Sequence, residues 1–143
     1  MKRFLLLFVI AFSFVGCSKD EIDPDLTKNF IGSWQSEWTS VATNMKGQYT
    51  WNVTKETNTT LKITSYYEMK IGDIIDGGTD VATGIKVVNE NTFTLDDPAT
   101  EQNGYVKSEG NGVVSGDILT VLVKGTDIKT GQVSSENIVL KRK

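Results

Sequence analysis

The chain has 143 residues, a formal net charge of −3, one cysteine and no histidine. Without an imidazole, Ser-His-Asp and Cys-His catalysis and a His-bound zinc are excluded, and a lone cysteine excludes an intramolecular disulfide. At the start, Lys2 and Arg3 precede an apolar run over residues 4–15, and Gly16 stands directly before Cys17. That run is shorter than the roughly 20 apolar residues of a membrane-spanning helix and has the length of the h-region of a secretory signal. Residues 1–16 are therefore predicted to be removed as a signal peptide. Their loss takes Lys2 and Arg3 away and leaves a formal charge of −5. No basic stripe then remains to follow a phosphate backbone, so nucleic acid is not an expected partner.

Residues 17–29 carry Asp20, Glu21, Asp23 and Asp25 around Pro24. With so little apolar surface they are expected to form a flexible acidic tether, with a short turn over residues 24–30 leading into the domain. Residues 30–143 form the third unit, a single all-β domain. Short alternating segments rich in Thr, Val, Ile, Tyr and Trp recur there between Gly, Asn and Asp punctuation. In the first, Trp34, Ser36 and Trp38 share one face, and the period of two puts that face inward. Tyr49, Trp51 and Val53 then alternate with Thr50, Asn52 and Thr54. After a turn near residues 57–59, Leu61, Ile63, Ser65, Tyr67 and Met69 alternate with Lys62, Thr64, Tyr66, Glu68 and Lys70. Both read as half-buried antiparallel strands. Residues 72–84, with four glycines and three aspartates around Ile74 and Ile75, read as a strand fragment and a long loop. Strands resume over residues 84–88 and 91–95, joined by a turn at Asn89 and Glu90, and Pro98 breaks the pattern again. Residues 104–114 and 118–124 make a hairpin through Ser115, Gly116 and Asp117, and a last strand covers residues 134–141. The basic end, Lys141 to Lys143, reads as a solvated terminus.

An antiparallel barrel of eight or nine strands follows, with room for packed side chains or one small ligand. The inward aromatic residues Trp38, Tyr49, Trp51 and Tyr67, together with Ser36, Ser65 and Met69, are the candidate cavity wall. The alternative is that they fill a solid core. A few polar groups among aromatics suit an amphipathic or apolar molecule. Asp73, Asp76 and Asp80 lie close in sequence, as do Asp96 and Asp97, but they lack the spacing of a calcium loop and the opposed geometry of glycosidase carboxylates. No catalytic residue, metal ligand or cofactor is expected, and the protein reads as a non-enzyme.

Two resemblances sharpen these expectations. Residues Phe14, Val15, Gly16 and Cys17 resemble a lipobox, which implies that Cys17 carries a diacylglycerol thioether and anchors the protein to the membrane. The acidic residues after it resemble the surface-export signal of Bacteroidota lipoproteins, which implies an outer-membrane address with the domain exposed at the cell surface. Within the domain, Gly32-Ser33-Trp34 resembles the Gly-x-Trp signature of lipocalins, and the segment 110–121, with Asp127 and Gly131 after it, is similar to the late hairpin of lipocalin-like lipoproteins. The lipocalin-like reading implies a barrel floor formed by Gly32 and Trp34, with Arg142 as the available Arg partner. It implies either capture of a small hydrophobic ligand, or a solid barrel that binds an envelope protein, a host protein or a glycan through its loops.

Overall fold

The computed structural model describes residues 23–40, 45–101 and 104–143, so the signal segment, Cys17 and the first part of the tether lie outside the described residues. Eight antiparallel strands close into a barrel in chain order: β1 (Gly32–Ser40), β2 (Met45–Lys55), β3 (Thr60–Ile71), β4 (Ile74–Asn89), β5 (Thr92–Asp97), β6 (Val106–Ser115), β7 (Ile118–Asp127) and β8 (Val133–Arg142). Each strand pairs with its sequence neighbours, and β1 closes on β8. The all-β barrel is as the alternation predicts, with eight strands.

The barrel has one filled half and one open half. In the filled half, Trp34, Val53, Leu61, Ile63, Ile85, Val87, Phe93, Val114, Leu119, Val121, Ile138 and Leu140 point inward and are buried. Trp34 and Phe93 are both 0% exposed. Residues 23–30, expected as tether and turn, do turn over residues 28–30, where Phe30 N–H donates to Thr27 O at 3.0 Å, but they pack against this core and do not hang free of it. Leu26 N–H donates to Asn58 O at 2.9 Å, Asp25 pairs with Lys55 at 2.6 Å, and Thr27 and Phe30 are fully buried. Their few apolar side chains suffice because the barrel floor supplies the partners that an isolated segment lacks.

The floor is built around Trp34. Its indole Nε1–H donates to Phe30 O at 2.7 Å, which satisfies the one polar group that burial would otherwise strand. Arg142, the last inward position of β8, lays its guanidinium carbon 4.1 Å from the Trp34 ring centre. It donates to Asn29 O at 2.7 Å and Ile31 O at 2.8 Å. Arg142 is thus not part of a solvated terminus but a clamp between β8 and the entering chain, with the planar donor fork that suits two carbonyls at once. Gly32, at φ 133°, turns the chain into β1 where an added Cβ would sit 3.1 Å from Arg142 Nη1.

The largest departure from expectation is β4, which runs through the segment read as a loop. It pairs with β3 from Ile71↔Ile74 to Thr60↔Lys86. Leu61 faces Ile85 while Ile63 faces Ala82, so β4 carries one extra residue there, and Gly84 at φ 67° forms the bulge. The Asp- and Gly-rich part, residues 76–80, has little β propensity of its own; pairing with the long β3 edge holds it in place.

Candidate ligand site in the open half of the barrel

Strand pairing shows how the open half arises. The β1–β8 ladder covers only Trp34↔Arg142 and Gln35↔Lys141, and the β4–β5 ladder only Lys86–Asn89 against Thr92–Thr94. Beyond those points, among the described residues, β1–β4 form one paired leaf and β5–β8 another. The barrel is therefore fully laddered at its floor and unladdered along two seams toward its mouth. A cleft of about 400 Å³ lies on the outer side of the β1–β8 seam near its floor end, lined by the outward-phase Gln35, Glu37, Val139 and Lys141 with Ser36, Arg142 and Lys143.

The register brings the candidate wall residues together. Three consecutive inward rows cross the first leaf: Trp34↔Trp51↔Ser65↔Asp80, then Ser36↔Tyr49↔Tyr67↔Gly78, then Trp38↔Gly47↔Met69↔Asp76. All seven residues named from the sequence, Ser36, Trp38, Tyr49, Trp51, Ser65, Tyr67 and Met69, fall within these rows. Trp51 is buried on the floor core, and Ser36, Trp38, Tyr49, Ser65 and Met69 are half-buried. Tyr67 is exposed. The inward phase, still buried at Trp34 and Trp51 in the first row, is thus accessible at Ser36, Tyr49 and Tyr67 in the second and at Trp38 and Met69 in the third.

Two glycines set the pose of the aromatic rings. A Cβ added to Gly47 would lie 2.3 to 2.4 Å from three atoms of the Trp38 indole, and one added to Gly78 would lie 2.7 Å from Cε1, 2.8 Å from the hydroxyl oxygen and 2.9 Å from Cζ of Tyr67. Near-equal distances to three joined indole atoms mean that Trp38 lies flat over Gly47, whereas Tyr67 sets its Cε1–hydroxyl edge against Gly78. Trp38 therefore turns its other face away from the wall. Phe93 covers Gly112 in the same way at 2.1 to 2.7 Å, deep in the core. Alternation identifies the aromatic residues; their glycine partners become visible only once the register is known.

Tyr49 links the two leaves. Its hydroxyl donates to Glu136 Oε1 on β8 at 3.4 Å, past the edge of β1. Burial, and then the neighbouring Glu136 carboxylate, raise the Tyr49 hydroxyl above the usual phenol range. Asp80, opposite Ser65, accepts from the Val81 N–H at 2.9 Å. The sequence reading missed Asp80 and Glu136 as wall positions, since the first lies in the segment read as a loop and the second in a polar stretch of β8.

No family model matches the chain, and no curated protein matches it. A solved structure does. It is described as EF1p2_mFAP2b bound to DFHBI, and it is similar at a TM-score of 0.55 over 83% of this chain and 98% of that one, with 17% identity. At that identity the likeness is one of fold.

Among the described residues no group of three acidic side chains converges as a metal site. The wall residues supply ring faces, hydroxyls, a thioether and separated carboxylates. That inventory suits binding and orientation of a small molecule.

Proposed function

We propose that this protein is a membrane-anchored, non-enzymatic lipocalin-like lipoprotein that holds a small amphipathic or apolar molecule between the leaves of its barrel. The observation that carries the reading is the Trp38 indole laid flat over Gly47, with the exposed Tyr67 ring edge-on to Gly78 in the next row, in a region where inward residues are accessible. The fold neighbour described as bound to DFHBI supports it, since a barrel of this architecture there accompanies a small ligand. Lipidation of Cys17 belongs to the same proposal. The described chain enters at the barrel floor, so an anchor six residues before Asp23 would tether the closed end and turn the mouth away from the anchorage. Two or more acyl chains at about 0.8 kcal/mol per methylene give the stable residence that one chain alone does not. An outer-membrane, surface-exposed address is the expected setting.

The test is a titration of the protein with N-phenyl-1-naphthylamine, followed by tryptophan emission and repeated with Trp38→Ala. Saturable quenching that weakens in the variant supports the reading. A linear, non-saturating response from the folded protein overturns it.

A second reading has its own observation. The β3–β4 hairpin carries Ile71, Ile74 and Ile75 at the mouth end, with Ile74 69% and Ile75 63% exposed. Adjacent exposed apolar side chains of this size favour contact with another envelope protein or a host protein. A glycan would instead engage the neighbouring aromatic rims. Crosslinking on intact cells that captures a partner through this hairpin, with an unresponsive core, would favour the second reading over the first.

A further inference from the structure

We infer that the open half of the barrel selects organic cations, so that its ligand is an amine or quaternary ammonium compound with an apolar body. The inference rests on the ligand-binding reading above and adds the charge of the ligand to it.

The charges that point inward are of one sign above the floor. Following the register around the barrel, the inward basic residues among the described strands are Lys55 and Arg142. Both sit at the floor and are engaged there, Lys55 with Asp25 and Arg142 over Trp34. Above the floor the inward charged positions include Asp76 and Asp80 on β4 and Glu136 on β8, and no Lys or Arg shares their phase. Lys46, Lys62, Lys70, Lys107 and Lys124 all have the outward phase. The one described lysine in a mouth turn, Lys129, lies with its ammonium 3.4 Å from the centre of the Tyr105 ring.

Carboxylates alone do not define a site, and these are spread over two leaves and form no metal cluster. The ring faces supply the independent half of the argument. A ring face carries the negative lobe of the aromatic quadrupole and attracts cations within about 6 Å, more strongly where water is partly excluded. Trp38, held flat by Gly47, presents such a face in the row that ends in Asp76, and the exposed Tyr67 ring stands in the next row, between those of Asp76 and Asp80. A compact metal ion needs converging oxygens, whereas a bulky organic cation can rest on a ring face with a carboxylate at its edge. An anion of the same size would meet repulsion from both kinds of group.

The experiment compares three probes on the whole protein: phenyltrimethylammonium, benzenesulfonate and neutral N-phenyl-1-naphthylamine. The cation is expected to bind about tenfold or more tighter than the anion. In Asp80→Asn/Glu136→Gln the ratio should fall to about threefold or less while the neutral probe is unaffected. In Trp38→Leu, which keeps both carboxylates, the cation should lose more affinity than the anion. A cation-to-anion ratio near one, or a ratio that survives in the double variant, overturns the inference while leaving ligand binding intact if the neutral probe still saturates. Failure of all three probes to bind overturns both. If the double variant does not fold, the salt dependence of the wild-type ratio decides: it should shrink from low to high salt, and a constant ratio overturns the inference.

Discussion

Gly112→Ala and Gly47→Ala introduce the same methyl group against an aromatic ring at nearly the same distance, yet they should differ sharply in cost. An added Cβ at Gly112 would stand 2.1 Å from Phe93 Cζ, and at Gly47 2.3 Å from the Trp38 indole. Phe93 is 0% exposed and packs edge-on against the buried Phe30 ring at a centroid distance of 5.4 Å. It has no free space to enter, so the methyl group must displace packed core. Overpacking of that kind costs typically about 1 to 3 kcal/mol, and the depth of overlap places Gly112→Ala at about 3. Trp38 is half-buried in the open half and can swing off its glycine, so Gly47→Ala should cost about 1 kcal/mol or less. Urea unfolding followed by tryptophan emission reads the difference. With a slope of about 1.5 to 2 kcal/mol/M, Gly112→Ala should lower the midpoint by about 1.5 to 2 M, and Gly47→Ala by about 0.5 M or less. Phe93→Ala alone should cost about 3 to 5 kcal/mol. Combined with Gly112→Ala it should cost less than the sum by about 1 kcal/mol or more, because the second change removes the clash created by the first. Equal midpoints for the two glycine variants, or strict additivity of the Phe93 and Gly112 changes, would refute the flat-ring packing.

Other consequences follow from the floor and the anchor. Trp34→Ala should destabilise by about 3 to 5 kcal/mol, as loss of a fully buried plug, and an unchanged melting temperature would remove it from the floor. Asp25 is held well below the usual carboxylate range, chiefly by the Lys55 ammonium and then by the Thr27 hydroxyl and N–H. The unfolded chain therefore takes up this proton first on acidification. The contribution of Asp25 is complete at neutral pH and is lost progressively below about pH 4, so Asp25→Asn should flatten the acid limb of a stability curve; an unchanged limb would show that the pair is idle. Cys17→Ala should abolish membrane retention of the signal-cleaved protein, whereas continued retention after cleavage would rule out the lipid anchor.

The parts legible in the sequence are those where a strand's own alternation carries its face. Trp34, Ser36 and Trp38, then Tyr49, Trp51 and Val53, then Leu61 through Met69, declare their inward phase without a partner, and they became β1, β2 and β3. The middle of β4, between the fragment at Ile74 and Ile75 and the strand read over residues 84–88, could not be read this way. Its inward positions above the bulge are Asp76, Gly78, Asp80 and Ala82, and their fitness shows only against Tyr67 and the β3 edge. Residues 23–29 misled for a related reason, since the partners of Asp25, Leu26 and Thr27 lie on the barrel floor or in their own short turn. The two seams were equally invisible: nothing in the composition of β5 or β8 announces where its ladder stops. That is the feature on which the site depends.

The most direct test of the site is a two-dimensional NMR titration of the three tryptophan indole N–H signals with N-phenyl-1-naphthylamine. Trp38 lies in the open half, Trp51 at the boundary, and Trp34 in the floor with its N–H committed to Phe30 O. Ligand held between the leaves should move the Trp38 signal most, Trp51 less, and Trp34 hardly at all. Shifts confined to Trp34, or none while the probe binds, would place the ligand elsewhere and contradict the account.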